Sequence, residues 1–358
     1  MSFEASFFDW ADVTQILARP LRSIPTHAGI ESLTGARVLV TGAGGSVGNA
    51  LVARLAALPV QSIIALDHHE ASLFRLGRDF PGAPLDLVLA DIRNQDKVHR
   101  VLAENRPRVV FHLAAYKHVP LGEAGVDELV GVNVFGTENV ARAAAETGVE
   151  HFLYPSSDKA VNPPSAYGAT KRIAETLLLA LDDETPSMAI HIARFVNILG
   201  SAGSASETFA RQASTGAPLT LTDPLMTRYW MAMDEAIDLL IHGLGLPGGS
   251  LTTLDTGEPI PAQTVAERIY QMASHSDTMP RFAVTGARPG ERLFEELASV
   301  SEAIERIGED PVWRIAGEEG VERPGARAAG LTELRRLFDC GDQHSLHQRM
   351  MELAHQLQ

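Results

Sequence analysis

From residue 36 onward, short runs of Val, Ile and Leu alternate with stretches in which apolar residues recur every three or four positions. The first pattern is that of buried strands, the second that of amphipathic helices. Their alternation predicts βαβ units feeding a parallel sheet. Strands are expected at Arg37–Thr41, Ser62–Leu66, Leu85–Ala90, Val109–Leu113, His151–Pro155 and Ala189–Arg194. Helices are expected near 46–58, 94–105, 127–147 and 166–182, with Gly148 placed where a helix C-terminal glycine sits. The first half therefore reads as a doubly wound α/β fold.

On either side of this region the pattern changes. Residues 1–34 combine Phe3, Phe7, Phe8 and Trp10 with Arg19, Pro20, Arg22 and Pro25. They read as an arm that packs on the body or on a neighbouring subunit, not as a membrane anchor. After residue 195, Gly200-Ser201, Gly203, Pro218, Pro224, Pro247-Gly248-Gly249 and Pro259 mark loops instead of a further regular βα series. The last stretch, about 330–358, reads as a polar, solvated closing helix with several histidines.

Composition narrows the function classes. The 358 residues are 45% hydrophobic and 21% charged, ordinary for a globular protein, and carry a formal net charge of −15. An acidic chain lacks the basic surface that nucleic acid requires, so no nucleic-acid partner is expected. No run approaches the roughly 18 apolar residues of a membrane span. The single Cys340 excludes an intramolecular disulfide and suits a reducing compartment, and the start lacks the pattern of an export signal, so a cytoplasmic location is expected. No metal is expected.

The run Thr41-Gly42-Ala43-Gly44-Gly45-Ser46-Val47-Gly48 follows an apolar strand directly and opens a helix, the context in which a glycine-rich turn binds a dinucleotide. Gly42 permits the tight turn, Gly45 lets the backbone approach the pyrophosphate, and Gly48 allows close helix packing. Ser46 and Val47 open the helix whose N-terminus faces the phosphates. Asp67 ends the second strand, where an acid binds the ribose 2′-hydroxyl, which favours NAD. NADP stays open because His68, His69 and Arg75 are close by in sequence. Asp91 and Ile92 follow the third strand beside the expected adenine, Asp91 being equally suited to cap a helix. Ala114 and Ala115 follow the fourth strand. The expected division is an N-terminal arm at 1–34, a Rossmann-type NAD(P)-binding domain at 35–195, a smaller, mainly substrate-binding part at 196–330 that can interleave with the sheet, and a C-terminal helical segment at 331–358.

With T-G-x-x-G-x-x-G, Leu113-Ala114-Ala115, and Tyr167 and Lys171 in Tyr-Gly-Ala-Thr-Lys, the chain resembles the extended short-chain dehydrogenase/reductases. The four-residue spacing puts Tyr167 and Lys171 one turn apart on one helix face, where an ammonium lowers a phenol's pKa. More particular runs are Ala114–Leu121, Ser156–Pro163, Thr222–Arg228, Leu254–Pro259 and Arg288–Leu297. They resemble the polysaccharide-biosynthesis dehydratases that act on UDP-N-acetylglucosamine, over about residues 36–298.

This resemblance implies a 4,6-dehydration in which hydride leaves C4 for NAD(P)+, the C5 proton and the C6 hydroxyl depart, and hydride returns to C6. By role, Tyr167 with Lys171 would take the 4-hydroxyl proton and Ser157 would hold that oxygen. Lys159 would remove the C5 proton and Asp158 would protonate the leaving hydroxyl. Lys117 and His118 would line the sugar site, and Asn197, Arg228 and Arg288 would receive the UDP moiety. The sequence departs from the family pattern at Val196, Gly122 and Ala205-Ser206-Glu207. Two other readings remain: a nucleotide-sugar 4-epimerase or 4-ketoreductase, which leaves C5 and C6 alone, and a non-catalytic NAD(P)-binding sensor. A homo-oligomer is expected, with the helices at 127–147 and 166–182 as candidate contacts.

Overall fold

The six strands expected from the apolar runs are Arg37–Thr41 (β1), Ser62–Asp67 (β2), Leu85–Leu89 (β3), Val109–His112 (β4), His151–Ser157 (β5) and Ala189–Phe195 (β6). The computed structural model describes residues 7–274, 279–317 and 324–358; Phe3 of the arm lies outside them. Three later strands, Ser250–Leu254 (β7), Glu302–Arg306 (β8) and Val312–Gly317 (β9), return to the same sheet. Its nine strands run β8-β9-β7-β6-β5-β4-β1-β2-β3. Neighbours from β7 to β3 are parallel, while β9 and β8 are antiparallel additions. The order reverses between β1 and β4, so a crevice opens above their carboxyl ends.

The helices that follow the strands include Ser46–Ala56 (α1), Glu70–Asp79 (α2), Gln95–Asn105 (α3), Thr137–Thr147 (α4) and Ala166–Glu184 (α5). Helix α2 was not expected, because only Leu73 and Leu76 of its ten residues are buried apolar positions. The single helix anticipated at 127–147 is three pieces: Val126–Val130, a π-helical segment at Gly131–Gly136, and α4. Gly148 closes α4 in the left-handed region, φ 82°.

Strand side chains alternate between two cores. Val38, Val40, Ile63, Ala65 and Phe111 face α1 and a helix at Met233–Gly243. Leu39, Ile64, Leu66, Val110 and Phe152 face α3, α4 and α5. Each such buried Val, Leu, Ile or Phe side chain stabilises the fold by roughly 1.5–3 kcal/mol before entropy is counted. A third core joins Ile16 and Leu17 of the arm to Phe209, Leu219, Val265 and Ile269, so the arm packs on its own body.

The C-terminal stretch is helical but not solvated as expected. Pro324–Cys340 (α6) and Gln343–Gln356 (α7) form a pair whose Leu334, Leu346, Met350 and Leu353 are buried against Ile173 of α5. Apolar residues three or four apart make one stripe on an otherwise polar helix, and that stripe covers much of α5. Of the two segments expected as contacts with a second copy, α5 thus has part of its surface packed against this chain's own C-terminal helices. Among the described residues, no helix is long and apolar enough to cross a membrane, and no cluster of His, Cys, Asp and Glu could hold a metal.

Candidate active site

Strand β1 ends at Thr41, and Gly42 turns the chain with φ 67°, a conformation that L side chains rarely adopt. A β-carbon at Gly42 would also run into the backbone of Ala114. Beside the turn lies a cleft of about 260 Å³, lined by Gly42 and Gly45, by Asp67 at the end of β2, by Asp91 and Ile92, and by Ala114 and Ala115. The residues expected around a dinucleotide thus converge on one cleft. Asp67 accepts hydrogen bonds from the Gly44 and His69 amides, both at 2.9 Å. Asp91 is paired with Arg93 at 2.7 Å, and the hydrogen bond from Arg93 holds its carboxyl below the usual range. Ser46, at the start of α1 with Gly48, accepts from the Ala202 amide at 2.9 Å.

The cleft continues over Leu113 and Ala115 into a second one of about 280 Å³. Ser157, at the end of β5, and Lys159, in the short turn after it, line this part with Tyr167 and Lys171 from α5. Lys117, His118, Asn197 and Val47 complete the wall. The Asn197 amide donates to the Tyr229 carbonyl at 3.1 Å, and the His118 ring packs on Gly203. Helix α5 is well anchored: Ser165 caps it through the Gly168 amide at 3.2 Å, and Glu123 accepts from the Ala166 amide at 2.7 Å. Asn133, in the π-helical segment, accepts from the Tyr116 amide at 2.8 Å and donates to Thr170 of α5 at 3.1 Å. It fastens the loop after β4 to α5. Sequence reasoning missed it; its signal is a polar residue inside an apolar helical run.

Charge is concentrated behind Ser157. Asp158 is almost fully buried, and its Oδ1 accepts from the Ser157 hydroxyl at 2.9 Å and from Lys159 Nζ at 3.0 Å. Its Oδ2 is buried with no hydrogen-bond partner among the described residues. Burial raises the Asp158 pKa, opposed by the Lys159 charge and reinforced by Glu295. Burial works against the Lys159 ammonium, yet Asp158 and then Glu295 keep its pKa above the ordinary lysine value. Burial and charge thus act in opposite senses on each partner: burial prevails at Asp158 and the surrounding carboxylates prevail at Lys159, so both values end above the ordinary ones.

The Lys171 ammonium is hydrogen-bonded to the main chain of β5. Burial pushes its pKa down to about 7, and its Nζ donates to the Pro155 carbonyl at 2.9 Å, 4.3 Å from the Tyr154 ring centre. Burial raises the Tyr167 phenol, while the Lys159 charge and the Ser157 hydroxyl pull it back. Spacing along the helix sets the two side chains on one cleft, and burial disfavours the charged form of both.

The two arginines expected to meet a nucleotide line neither cleft. Arg228 is buried, with Nη1 donating to the Thr227 and Leu293 carbonyls at 2.7 and 3.1 Å and Nη2 to that of Arg292 at 2.8 Å. Arg288 is exposed. In their place the structure brings in Glu295, whose Oε1 lies 3.2 Å from Lys159 Nζ and 3.2 Å from Arg228 Nε. The run Arg288–Leu297 pointed to this stretch but not to this carboxylate.

A sheet in the order 3-2-1-4-5-6, a glycine turn after its first strand, and Ser157, Tyr167 and Lys171 on one cleft define an extended short-chain dehydrogenase/reductase. The chain belongs to the polysaccharide biosynthesis protein family, whose profile matches residues 38–316.

It is 37% identical over 293 residues to the probable polysaccharide biosynthesis protein EpsC of Bacillus subtilis, covering 80% of this chain and 49% of EpsC. This chain thus spans about half the length of that relative. A UDP-N-acetylglucosamine 4,6-dehydratase (inverting) of Campylobacter jejuni is 28% identical over 73% of this chain and 77% of its own. A UDP-glucose 4-epimerase of Rickettsia rickettsii is 29% identical over 74% and 78%. Among solved structures, Pen from Bacillus thuringiensis matches with a TM-score of 0.74 at 27% identity, covering 80% of this chain and 89% of Pen. The relatives place the chain in the nucleotide-sugar dehydratase/epimerase superfamily of enzymes.

Proposed function

We propose that this protein is an NAD(P)-dependent 4,6-dehydratase that converts UDP-N-acetylglucosamine to a UDP-4-keto-6-deoxy sugar. The observation that carries this reading is the Asp158–Lys159 hydrogen bond of 3.0 Å beside Ser157 and Tyr167. Oxidation at C4 alone would need no acid–base pair there.

The first cleft fits a dinucleotide: a β-carbon at Gly42 would fill the turn, and Asp67 presents a carboxylate where a ribose hydroxyl would donate. NAD(P)+ held there supplies the acceptor for hydride from C4 and its return to C6. Tyr167 takes the 4-hydroxyl proton, and Ser157 holds the same oxygen by a hydrogen bond. Moving one proton across the Asp158–Lys159 hydrogen bond turns ammonium and carboxylate into a neutral amine and a carboxylic acid, the two forms that elimination needs. Lys159 then takes the C5 proton while Asp158 protonates the departing C6 hydroxyl, so water leaves and a C5–C6 double bond forms. Lys159 later returns a proton to C5, and the proton gained by Tyr167 balances the one lost with water.

Incubation with UDP-N-acetylglucosamine in deuterated water is expected to give a product that has lost water and carries deuterium at C5, read by mass spectrometry and NMR. A sugar product of unchanged mass, epimerised at C4, would instead support the epimerase reading and overturn this one.

A further inference from the structure

Glu295 reaches the catalytic turn from a segment far along the chain, and nothing in the motif reading assigns it a task. Its side chain is 7% exposed, and one oxygen, Oε1, stands 3.2 Å from Lys159 Nζ and 3.2 Å from Arg228 Nε. Lys159 Nζ is also 3.0 Å from Asp158 Oδ1, so one ammonium sits between two carboxylates. Lysine ends a flexible four-carbon stem, and a single acceptor at the edge of a cleft leaves it several rotamers. Two acceptors on opposite elements leave it one. Arg228 holds the second acceptor in place: three of its N–H groups bind the carbonyls of Thr227, Arg292 and Leu293, and its Nε faces Glu295. A carboxylate that needed only a buried partner would be satisfied by Arg228 alone.

We infer that Glu295, held by Arg228, is the positioning residue that aims the Lys159 amine at the proton it removes. The inference rests on the reading in which Lys159 is the base at C5, and it adds the residue that gives that base its direction. The charged and titratable groups that face Lys159 are Asp158 on its own turn, Tyr167 on α5, Glu295, and Arg228 behind it. Taking away the Glu295 charge leaves Lys159 one carboxylate fewer, so it gives up its proton at lower pH. It also frees the amine to swing away from the reacting carbon. Ser157, Tyr167 and Lys171, which serve the C4 oxidation, keep their contacts.

The test compares wild-type protein with Glu295→Gln and Glu295→Asp in deuterated water, measuring C5 exchange, water loss and single-turnover formation of reduced nicotinamide. Glu295→Gln is expected to lose roughly tenfold to a hundredfold in C5 exchange and dehydration, the scale of a misplaced reacting group. KM and C4 oxidation should stay near wild type, and the alkaline limb of the dehydration rate should move to lower pH. Glu295→Asp, which keeps the charge, should restore that limb with part of the rate. Equal losses of C4 oxidation and dehydration, an unmoved limb, or unfolding of both variants would overturn the role. Wild-type protein that never exchanges C5 would bring down the dehydratase reading itself, whatever the variants do.

Discussion

At Asp67 each carboxylate oxygen accepts one backbone N–H, from Gly44 and from His69 at 2.9 Å, and each keeps a second lone pair for a ribose hydroxyl. Around it stand His68, with Nδ1 3.4 Å from Asp67, and Ser72, which bridges His69 Nδ1 at 2.7 Å and Arg75 at 3.0 Å. The carboxylate favours a hydroxyl and repels a 2′-phosphate, whereas the basic neighbours would accept one. Asp67→Asn is therefore expected to shrink the preference for NAD over NADP roughly tenfold, about 1.4 kcal/mol. Dissociation constants for both dinucleotides, measured by fluorescence titration, check it; an unchanged ratio would mean that another residue makes the choice. Asp67, Tyr167 and Lys171 were legible in the sequence because each sits at a fixed step from a strand end or a helix turn. The surroundings of Arg228 were not legible, since nothing local reveals that its guanidinium meets carbonyls from residues 292 and 293.

Helix α5 carries Tyr167 and Lys171, and between them Gly168 lies against the carbonyl of Lys159, where a β-carbon would collide. Two effects of opposite sign meet at this position. Alanine is favoured over glycine within a helix by about 1 kcal/mol. Pushing the backbone of the 158–160 turn away costs about 1–3 kcal/mol and moves Asp158 and Lys159 with it. Gly168→Ala is expected to lower the denaturation midpoint and to slow dehydration more than it weakens dinucleotide binding. A variant more stable than wild type, with full activity, would show that the turn yields without consequence. The same helix shows how far an element can be read locally. Its limits and its cleft-lining face follow from periodicity and the Ser165 cap, but its cover by Leu346, Met350 and Leu353 depends on a helix almost two hundred residues away in sequence.

Across the whole molecule, burial holds two histidines neutral. His112 lies between the Thr41 and Thr137 hydroxyls at 2.8 and 3.0 Å, and burial, helped by Lys171, lowers its pKa to about 3. Burial and the neighbouring His151 lower that of His191 to about 3 as well. The folded values lie below the ordinary 6.5, so the unfolded chain binds these protons first as pH falls. Their contribution to stability is fully present above pH 6.5 and is lost on the way down to about pH 3. Each group contributes a slope of about 1.4 kcal/mol per pH unit. Urea midpoints should fall steadily between neutral pH and pH 5, and His191→Gln should make that fall shallower. An equal slope in the variant would rule His191 out as a source of it.

The positions of β1 to β6, the glycine turn and the Tyr167–Lys171 spacing are consequences of neighbours in sequence: strand alternation, a helix turn, and a residue free of side-chain sterics. Such features were determined by the sequence alone. The return of β7, β8 and β9 to the sheet, the packing of α6 and α7 on α5, the burial that lowers the Lys171 pKa, and the meeting of Glu295 with Lys159 were decided only by the tertiary structure. Their physical cause is long-range: which strand joins which edge, which apolar stripe covers which face, and which charges burial forces together depend on segments far apart in sequence.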